Sequence, residues 1–361
     1  MPLLEVCLLD DSPINGFLGL VLKKPDAVVW LRTPHQKTIA QQIEAAVATY
    51  MAPMFETREI LSDDVNSFVK ICQAILRDYP EHEILLNVTG GDRLQAVLAA
   101  DVFRKANKEV FYIDTHHFKI INIGLGESKY YQIAALTVNE FIALQGIKMT
   151  YGTRFDPEIG RRSPLTYFIA VHIDNLVPHI DKIRDEWIKM GNVKQSVKWD
   201  YDDGRIKFLI EYDAEQDRMK CKFGGGAGQK VVEIFKNPEE YLLNGGWLRE
   251  MVFLRVHKSQ YDDVRLDVRL DKESLPLGNK SENLIDIAMM KGSTLYIFQC
   301  FSYPITHDSF MELKSFQQTV KLLNAKGFVF VSHKIYHGFI ERARELGVSV
   351  VVGRRIPIFT I

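Results

Sequence analysis

Cysteine is scarce in this chain of 361 residues, and its four copies, Cys7, Cys72, Cys221 and Cys300, are scattered through apolar or strand-like runs. None forms a CxxC pair, which speaks against both a zinc site and a disulfide framework. They read as buried free thiols in a reducing cytoplasm. Long apolar runs are missing too, since none reaches the length of a membrane span. The apolar N-terminus, MPLLEVCLLDD, is short, has no basic stretch and runs into acidic residues, unlike a secretory leader. A cytoplasmic protein without a membrane partner is the expectation. Neither sign of charge is in excess: the formal net charge is -1. No global field therefore draws the chain toward nucleic acid or membrane, and a nucleic-acid contact would need a local basic groove.

Two nucleotide signatures are also absent. GxGxxG does not follow the first strand, so an ordinary dinucleotide site is not indicated. GGGAG at 224–228 resembles a glycine-rich loop, but no Lys-Ser or Lys-Thr follows it, and the P-loop reading fails.

What is present begins with alternation. Apolar strands at 3–9, 27–32, 56–61, 84–88 and 110–113 are separated by amphipathic helices at about 13–22, 38–50, 65–77 and after residue 91. Asp63 or Asp64 is placed to cap the third of these helices. Continuous apolar strands between helices predict a parallel sheet covered on both faces, hence a Rossmann-like α/β domain.

The most informative stretch is 84–93, ILLNVTGGDR, a strand running through a glycine turn into a helix start. Asn87 and Thr89 offer side-chain hydrogen bonds. Gly90 and Gly91 let backbone N–H groups approach a ligand, and a helix N-terminus favours negative charge. A phosphate or nucleotide suits such a turn; a plain strand-to-helix connection explains it equally well. In parallel sheets ligands bind beyond the C-terminal strand ends. The loop with Asp10, Asp11, Ser12, Pro13, Asn15 and Gly16, the NVTGG turn, and Asp114 with Thr115 all end at that edge.

Beyond this, 116–123 predicts a further strand, and 137–147 a short capped helix ending at Gly146. Residues 164–190 are mostly helical, with Pro178 the expected break. Strands at 197–199, 206–212 and 219–223 suggest a small meander. Residues 231–235 are a short helix or strand, and a helix follows at 247–256. Strands at 264–270, 283–290 and 294–301, a helix at 309–323, a strand at 328–332, a helix at 335–346 and a strand at 348–352 make a mixed sheet with helices on both sides. The domain reading is 1–127, 128–227 as a connector, and 228–361.

NVTGG after a central strand resembles the CARF sensor domains of type III CRISPR defence. NGGWLREMVF, NLIDIAMM and LYIFQCF, in that order, resemble the C-terminal restriction-like (PD-(D/E)XK) domain of the single-CARF nuclease effectors, and LTVNEFIALQGI is similar to their connector. The resemblance implies a fold of a Rossmann-like CARF domain, a small α+β connector and a restriction-endonuclease-like mixed-sheet domain. It implies a homodimer that binds a cyclic oligoadenylate, most often cyclic tetra-adenylate, and then cleaves single-stranded RNA or DNA with Mg or Mn. Carried over by position, the ligand-facing residues are Asp11, Ser12, Asn15, Thr89, Gly90, Gly91, Asp92 and Arg93. Where the family often has Thr-Lys this chain has Asp92-Arg93, which keeps a cation and adds an acid.

The nuclease motif departs further. Carboxylates must hold the metal and a lysine must steady developing charge. The resemblance places a glutamate directly after Trp-Leu, where this chain has Arg249. Its Asn-Glu-x-Asp becomes Asn283, Leu284 and Asp286, and its Glu-Cys-Lys becomes Gln299, Cys300 and Phe301. Asp286 is the one retained metal ligand, and Gln299 offers a neutral oxygen. Glu250 lies one position from the lost glutamate, about 100 degrees round the helix. Glu312 and Lys314 are other candidates for relocation. The expectation is a degenerate metal site with cleavage weak or lost. The rivals are an active nuclease with relocated groups, a CARF ring nuclease in which Ser12 or Thr89 orients the ribose hydroxyl, and a switch without chemistry. His116 and His117 read as one core and one exposed histidine, and His333 with His337 as surface histidines.

Overall fold

Apolar strands such as AVVWLR can only be accommodated where both faces of a sheet are covered, and the computed structural model places that strand inside such a layer, with a strand on either side and every residue buried. The structure describes all residues except 49, 62–63, 116, 118, 131–135, 191–195, 226–227, 236, 258–262 and 276–283. Asp63, His116 and Asn283, each named above, lie outside the described residues. The chain divides into two compact units, Met1–Lys148 and Met149–Ile361.

In the first unit β1 (Leu3–Leu8), α1 (Pro13–Lys23), β2 (Ala27–Arg32), α2 (Lys37–Val47), β3 (Met54–Glu59), α3 (Val65–Asp78), β4 (Glu83–Asn87), α4 (Arg93–Lys105) and β5 (Glu109–Asp114) alternate as expected. Two short strands, β6 (Lys119–Asn122) and β7 (Ser128–Tyr130), and α5 (Val138–Leu144) follow. The seven-stranded sheet runs β3-β2-β1-β4-β5-β6-β7. Strands β1 to β5 pair in parallel, whereas β6 and β7 are antiparallel. Strand order reverses between β1 and β4, the topological switch point at which sheets of this kind bind ligands. Asp64 caps α3, its Oδ1 accepting from the Ser67 N–H at 2.9 Å. Thr137 and Glu140 form a capping box on α5.

The second unit opens with β8 (Met149–Thr153), then α6 (Pro157–Val171) and α7 (Ile173–Lys189). The helix pair breaks at His172, and both Pro164 and Pro178 lie inside helices. The expected break at Pro178 is thus displaced, because the apolar stripe of Ile173, Leu176, Val177 and Ile180 runs straight through the proline and is held by the core. Strands β9 (Val197–Asp202), β10 (Lys207–Asp213), β11 (Arg218–Gly225) and β12 (Gly228–Ile234) form an antiparallel sheet ordered β12-β11-β10-β9. Its inner face, with Phe208, Ile210, Met219, Cys221 and Phe223, shares one core with α6, α7 and the helix that follows.

After α8 (Pro238–Leu242) and α9 (Gly246–His257) come β13 (Asp263–Leu270), β14 (Leu284–Lys291), β15 (Thr294–Phe301), α10 (His307–Leu322), β16 (Lys326–Val331), α11 (His337–Glu345) and β17 (Ser349–Val352). They build a six-stranded mixed sheet, β17-β16-β15-β14-β13-β8. The edge strand β8 was not legible beforehand, since five residues with exposed Tyr151 carry little pattern. Among the described residues no helix is long and apolar enough to cross a membrane.

Candidate functional site

At the switch point of the first unit, the loops after β1 and β4 lie against each other. A Cβ on Gly90 would stand 2.4 Å from the Leu8 carbonyl oxygen, and Gly91 has φ +79° with Leu8 against it. Only glycine lets the turn press this closely on the end of β1. Thr89 ties the turn to the next strand, its Oγ1 accepting from the Ile113 N–H at 2.9 Å.

The loop after β1 is organised by Asp10. Its Oδ1 accepts from the Ser12 N–H and its Oδ2 from Asn15 Nδ2, each at 2.9 Å. Burial raises the Asp10 pKa, and those two hydrogen bonds oppose the rise. Ser12 is the N-cap residue of α1, yet its side chain makes no capping bond. Asp11 and Arg93 are exposed, and Thr89 is half-buried. Asp92 caps α4, with Oδ1 accepting from the Gln95 N–H at 2.8 Å. Its carboxylate is therefore engaged by the helix end. The structure brings the Ser12 and Asn15 loop and the Thr89–Arg93 turn to one edge of the sheet, with α1 and α4 both starting there. Two helix N-termini, a glycine turn and exposed Arg93 at one edge suit an anionic guest.

The restriction-like motif lies in the second unit. Asp286 on β14 is 4 % exposed, and its Oδ2 accepts from the Cys300 N–H at 2.7 Å. The pairs Leu266↔Ile287 and Val268↔Ile285 put Asp267 opposite Asp286 on the neighbouring strand. Asp267 itself has φ +54°, a conformation that re-aims a strand side chain. Arg249 on α9 donates through Nη1 to Asp267 at 3.2 Å and through Nη2 to Glu240 of α8. Burial alone would lower the Arg249 pKa, but Asp286, Asp267 and Glu240 together raise it. Burial raises Asp286 to about 7, opposed by Arg249 and the Cys300 amide.

Glu250 is turned elsewhere. Both its oxygens accept from Arg162 Nε of α6, at 2.7 and 2.9 Å, and Arg162 Nη2 closes the fork. Arg162 stacks over Tyr241, whose hydroxyl is 2.8 Å from Thr166 Oγ1. Gln299 follows Phe298 on β15, where Phe298 pairs with Ile287, so it stands beside Asp286 along the hairpin. Phe301, at the position of the motif lysine, is fully buried against Tyr303 and Phe339. Tyr303 donates to Glu312 Oε2 at 2.5 Å, and Lys314 is exposed.

The implied divalent cation does not fit these residues. Among the described residues no group of three or more His, Cys, Asp or Glu is arranged to hold a metal ion. A guanidinium lies among the carboxylates instead. The partners of Arg249 went unread in the sequence: alternation marks Asp267 as polar on β13, but nothing local shows that it faces Asp286. His333, expected at the surface, is largely buried instead. Its Nε2 is 2.6 Å from Asp181 Oδ2 and its Nδ1 2.9 Å from Ser332 Oγ. His337 is exposed, 3.0 Å from Glu341, and exposed His117 closes on Asp114 at 2.7 Å. All four cysteines are free thiols, with Cys300 half-buried.

Comparison with known proteins matches residues 16–141 to the family described as the Card1 CARF domain and residues 237–357 to the Card1-like endonuclease domain. No curated protein matches the sequence. The fold is similar to that of protein VC1899 from Vibrio cholerae, with a TM-score of 0.73 and 17% identity over 98% of this chain and 95% of that one. It is equally similar to Can2 from Sulfobacillus thermosulfidooxidans, solved in complex with cyclic tetra-adenylate, at TM-score 0.73 and 17% identity over 98% and 97%. A type III CRISPR defence DNA nuclease activated by cyclic oligoadenylate matches at TM-score 0.56 and 14% identity, over 92% of this chain and 45% of that one. The two family models span more than half of the sequence in the order of the two units, and the chain belongs to the Card1-like family, a CARF domain joined to an endonuclease domain.

Proposed function

We propose that this protein is a cyclic-oligoadenylate-binding effector of type III CRISPR antiviral defence, with cyclic tetra-adenylate the preferred ring, and that its endonuclease domain cleaves weakly or not at all. The observation that supports binding is the crevice at the switch point, where Ser12, Asn15, Thr89, Gly90, Gly91 and Arg93 share one edge with two helix starts. Asp11 and Asp92 flank it, the latter engaged by its helix. A ring with two-fold symmetry sits naturally across a two-fold dimer. The exposed Leu94 and Val97, on the first turns of α4 beside the crevice, give an apolar strip suited to a second copy.

The loss of cleavage is argued from Arg249. A fixed cation bonded to Asp267 and Glu240 sets its charge where carboxylates would need to gather a metal. Asp286 is the one carboxylate kept from the motif, Gln299 adds only a neutral oxygen, and Phe301 supplies no cation. Glu250, committed to Arg162, is unavailable for relocation.

Calorimetric titration with cyclic tetra- and hexa-adenylate tests the sensor reading. About one tetra-adenylate ring per dimer is expected; no binding of either ring removes the reading. Incubation with single-stranded RNA or DNA, Mn²⁺ and ring tests the second half. Cleavage that Asp286→Ala abolishes would establish the active-nuclease alternative. Linear adenylates formed from the ring without metal would establish a ring nuclease acting through Ser12 or Thr89.

A further inference from the structure

Beneath the Thr89–Gly91 turn lies a polar pair inside an otherwise apolar layer. Glu5, in the middle of β1, and Asn87, the last residue of β4, are both fully buried. Asn87 Nδ2 donates to Glu5 Oε1 at 3.0 Å, and its Oδ1 accepts from the Thr89 N–H at 3.0 Å. The two contacts have opposite polarity, so the orientation of the amide is fixed by chemistry: the acceptor Glu5 holds the NH₂ side and leaves the oxygen for Thr89.

Helix α1 clamps the pair from above. A Cβ on Gly19 would lie 2.2 Å from Asn87 Nδ2 and 2.3 Å from Glu5 Oε1. Neither side chain has room to swing away. Glu5 Oε2 has no hydrogen-bond partner. Lys23 on α1 is the cation that acts on Glu5, and its ammonium is bonded to Glu109 of β5 at 2.6 Å. A buried carboxyl with one unsatisfied oxygen is costly compared with an apolar residue. A role for it is found in what Asn87 does next.

We propose that Glu5 and Asn87 are positioning residues for the ligand-binding turn: Glu5 orients the Asn87 amide, and Asn87 holds the Thr89 amide so that Thr89, Gly90 and Gly91 face the ring correctly. This rests on the ring-binding reading above. The turn is then fixed at three points: Leu8 under Gly90, Ile113 on Thr89 Oγ1, and Asn87 on Thr89 N–H. Neither Glu5 nor Asn87 touches the ring; both act through the backbone of the turn.

The test uses the full chain and two readouts. In the first, cyclic tetra-adenylate affinity is measured for the wild type, Asn87→Ala, Glu5→Leu and Glu5→Gln. Asn87→Ala and Glu5→Leu are expected to weaken binding at least about tenfold, the loss of one oriented hydrogen bond. Glu5→Gln retains an acceptor oxygen for Asn87 and is expected to stay within about threefold of the wild type. In the second, hydrogen exchange is followed in the ring-free protein. The Thr89 amide is expected to exchange faster in Asn87→Ala and Glu5→Leu, while amides in the middle of α4 keep their protection. Unchanged Thr89 exchange in Asn87→Ala, or failure of Glu5→Gln to restore binding and protection, overturns the proposal. A wild type that binds no ring refutes the ring-binding reading, and the exchange readout then still decides whether the pair holds the turn.

Discussion

Arg249 and Asp267 meet guanidinium to carboxylate at 3.2 Å, directly beside buried Asp286. A cation built into α9 thus neutralises acids on β13 and β14. Removing one partner of such a cluster leaves uncompensated charge in a poorly solvated place. Arg249→Ala is expected to lower the stability of the second unit by about 3 kcal/mol, read by urea unfolding. Arg249→Lys, which keeps the charge but loses the fork, should lose less. An unchanged midpoint for Arg249→Ala contradicts the assignment.

Glu250 gives a second prediction of the same kind. Its fork with Arg162 joins α9 to α6, with side-chain exposures of 5% and 18%. Glu250→Ala is expected to cost about 3–5 kcal/mol in unfolding while leaving ring affinity unchanged. A stable Glu250→Ala chain would free this carboxylate for a catalytic role.

Gly90 is where the turn presses most closely on the end of β1. An added Cβ meets backbone at 2.4 Å, not a yielding side chain. Gly90→Ala should therefore shift the turn and weaken ring binding by about tenfold or more, with α4 still helical by circular dichroism. Wild-type affinity in that variant would show that the turn does not set the site.

Glu5 makes stability pH-dependent. Burial raises its pKa from 4.5 to about 8, opposed by the Asn87 hydrogen bond and Lys23. Between those values the unfolded chain has released a proton that the folded chain keeps. Stability from this group is therefore complete below pH 4.5 and declines until about pH 8. Glu5→Gln removes the titration. Its melting temperature should exceed that of the wild type by a margin that widens from pH 5 to pH 8, on the order of 5–10 °C. A margin that stays constant with pH contradicts a neutral buried Glu5.

Val97 is 67% exposed and Leu94 54% exposed, one helical turn apart on α4. If this strip covers a second copy, Val97→Glu should convert a dimer to a monomer in analytical ultracentrifugation and depress ring binding with it. A wild type that sediments as a monomer would remove the two-fold crevice.

Local pattern carried most of the fold. The strand at 27–32 and the hairpin strand at 294–301 were legible to the residue because continuous apolar runs end there in charge or turn residues. Positions 231–235 stayed open between helix and strand, and pairing with β11 decides for a strand through Ile234. The break at His172 was missed because a proline in a strong apolar stripe is tolerated when tertiary packing holds the helix. At the sites, Gly90 and Gly91 announced themselves, since a close turn leaves its mark in residue type. The partners of Arg249, Glu250 and His333 did not. Glu240, Asp267, Arg162 and Asp181 reach them from other elements, and contacts of that range leave no local signature in a single sequence.

The most direct measurement is a crystal structure of the full chain with cyclic tetra-adenylate bound and Mn²⁺ soaked in. The account predicts the ring across two copies, its phosphates against the Ser12 loop and the Thr89–Arg93 turn, with Arg249 still bonded to Asp267 and no Mn²⁺ at Asp286. A ring-free crevice, or Mn²⁺ coordinated by Asp286 with Arg249 displaced, would contradict it.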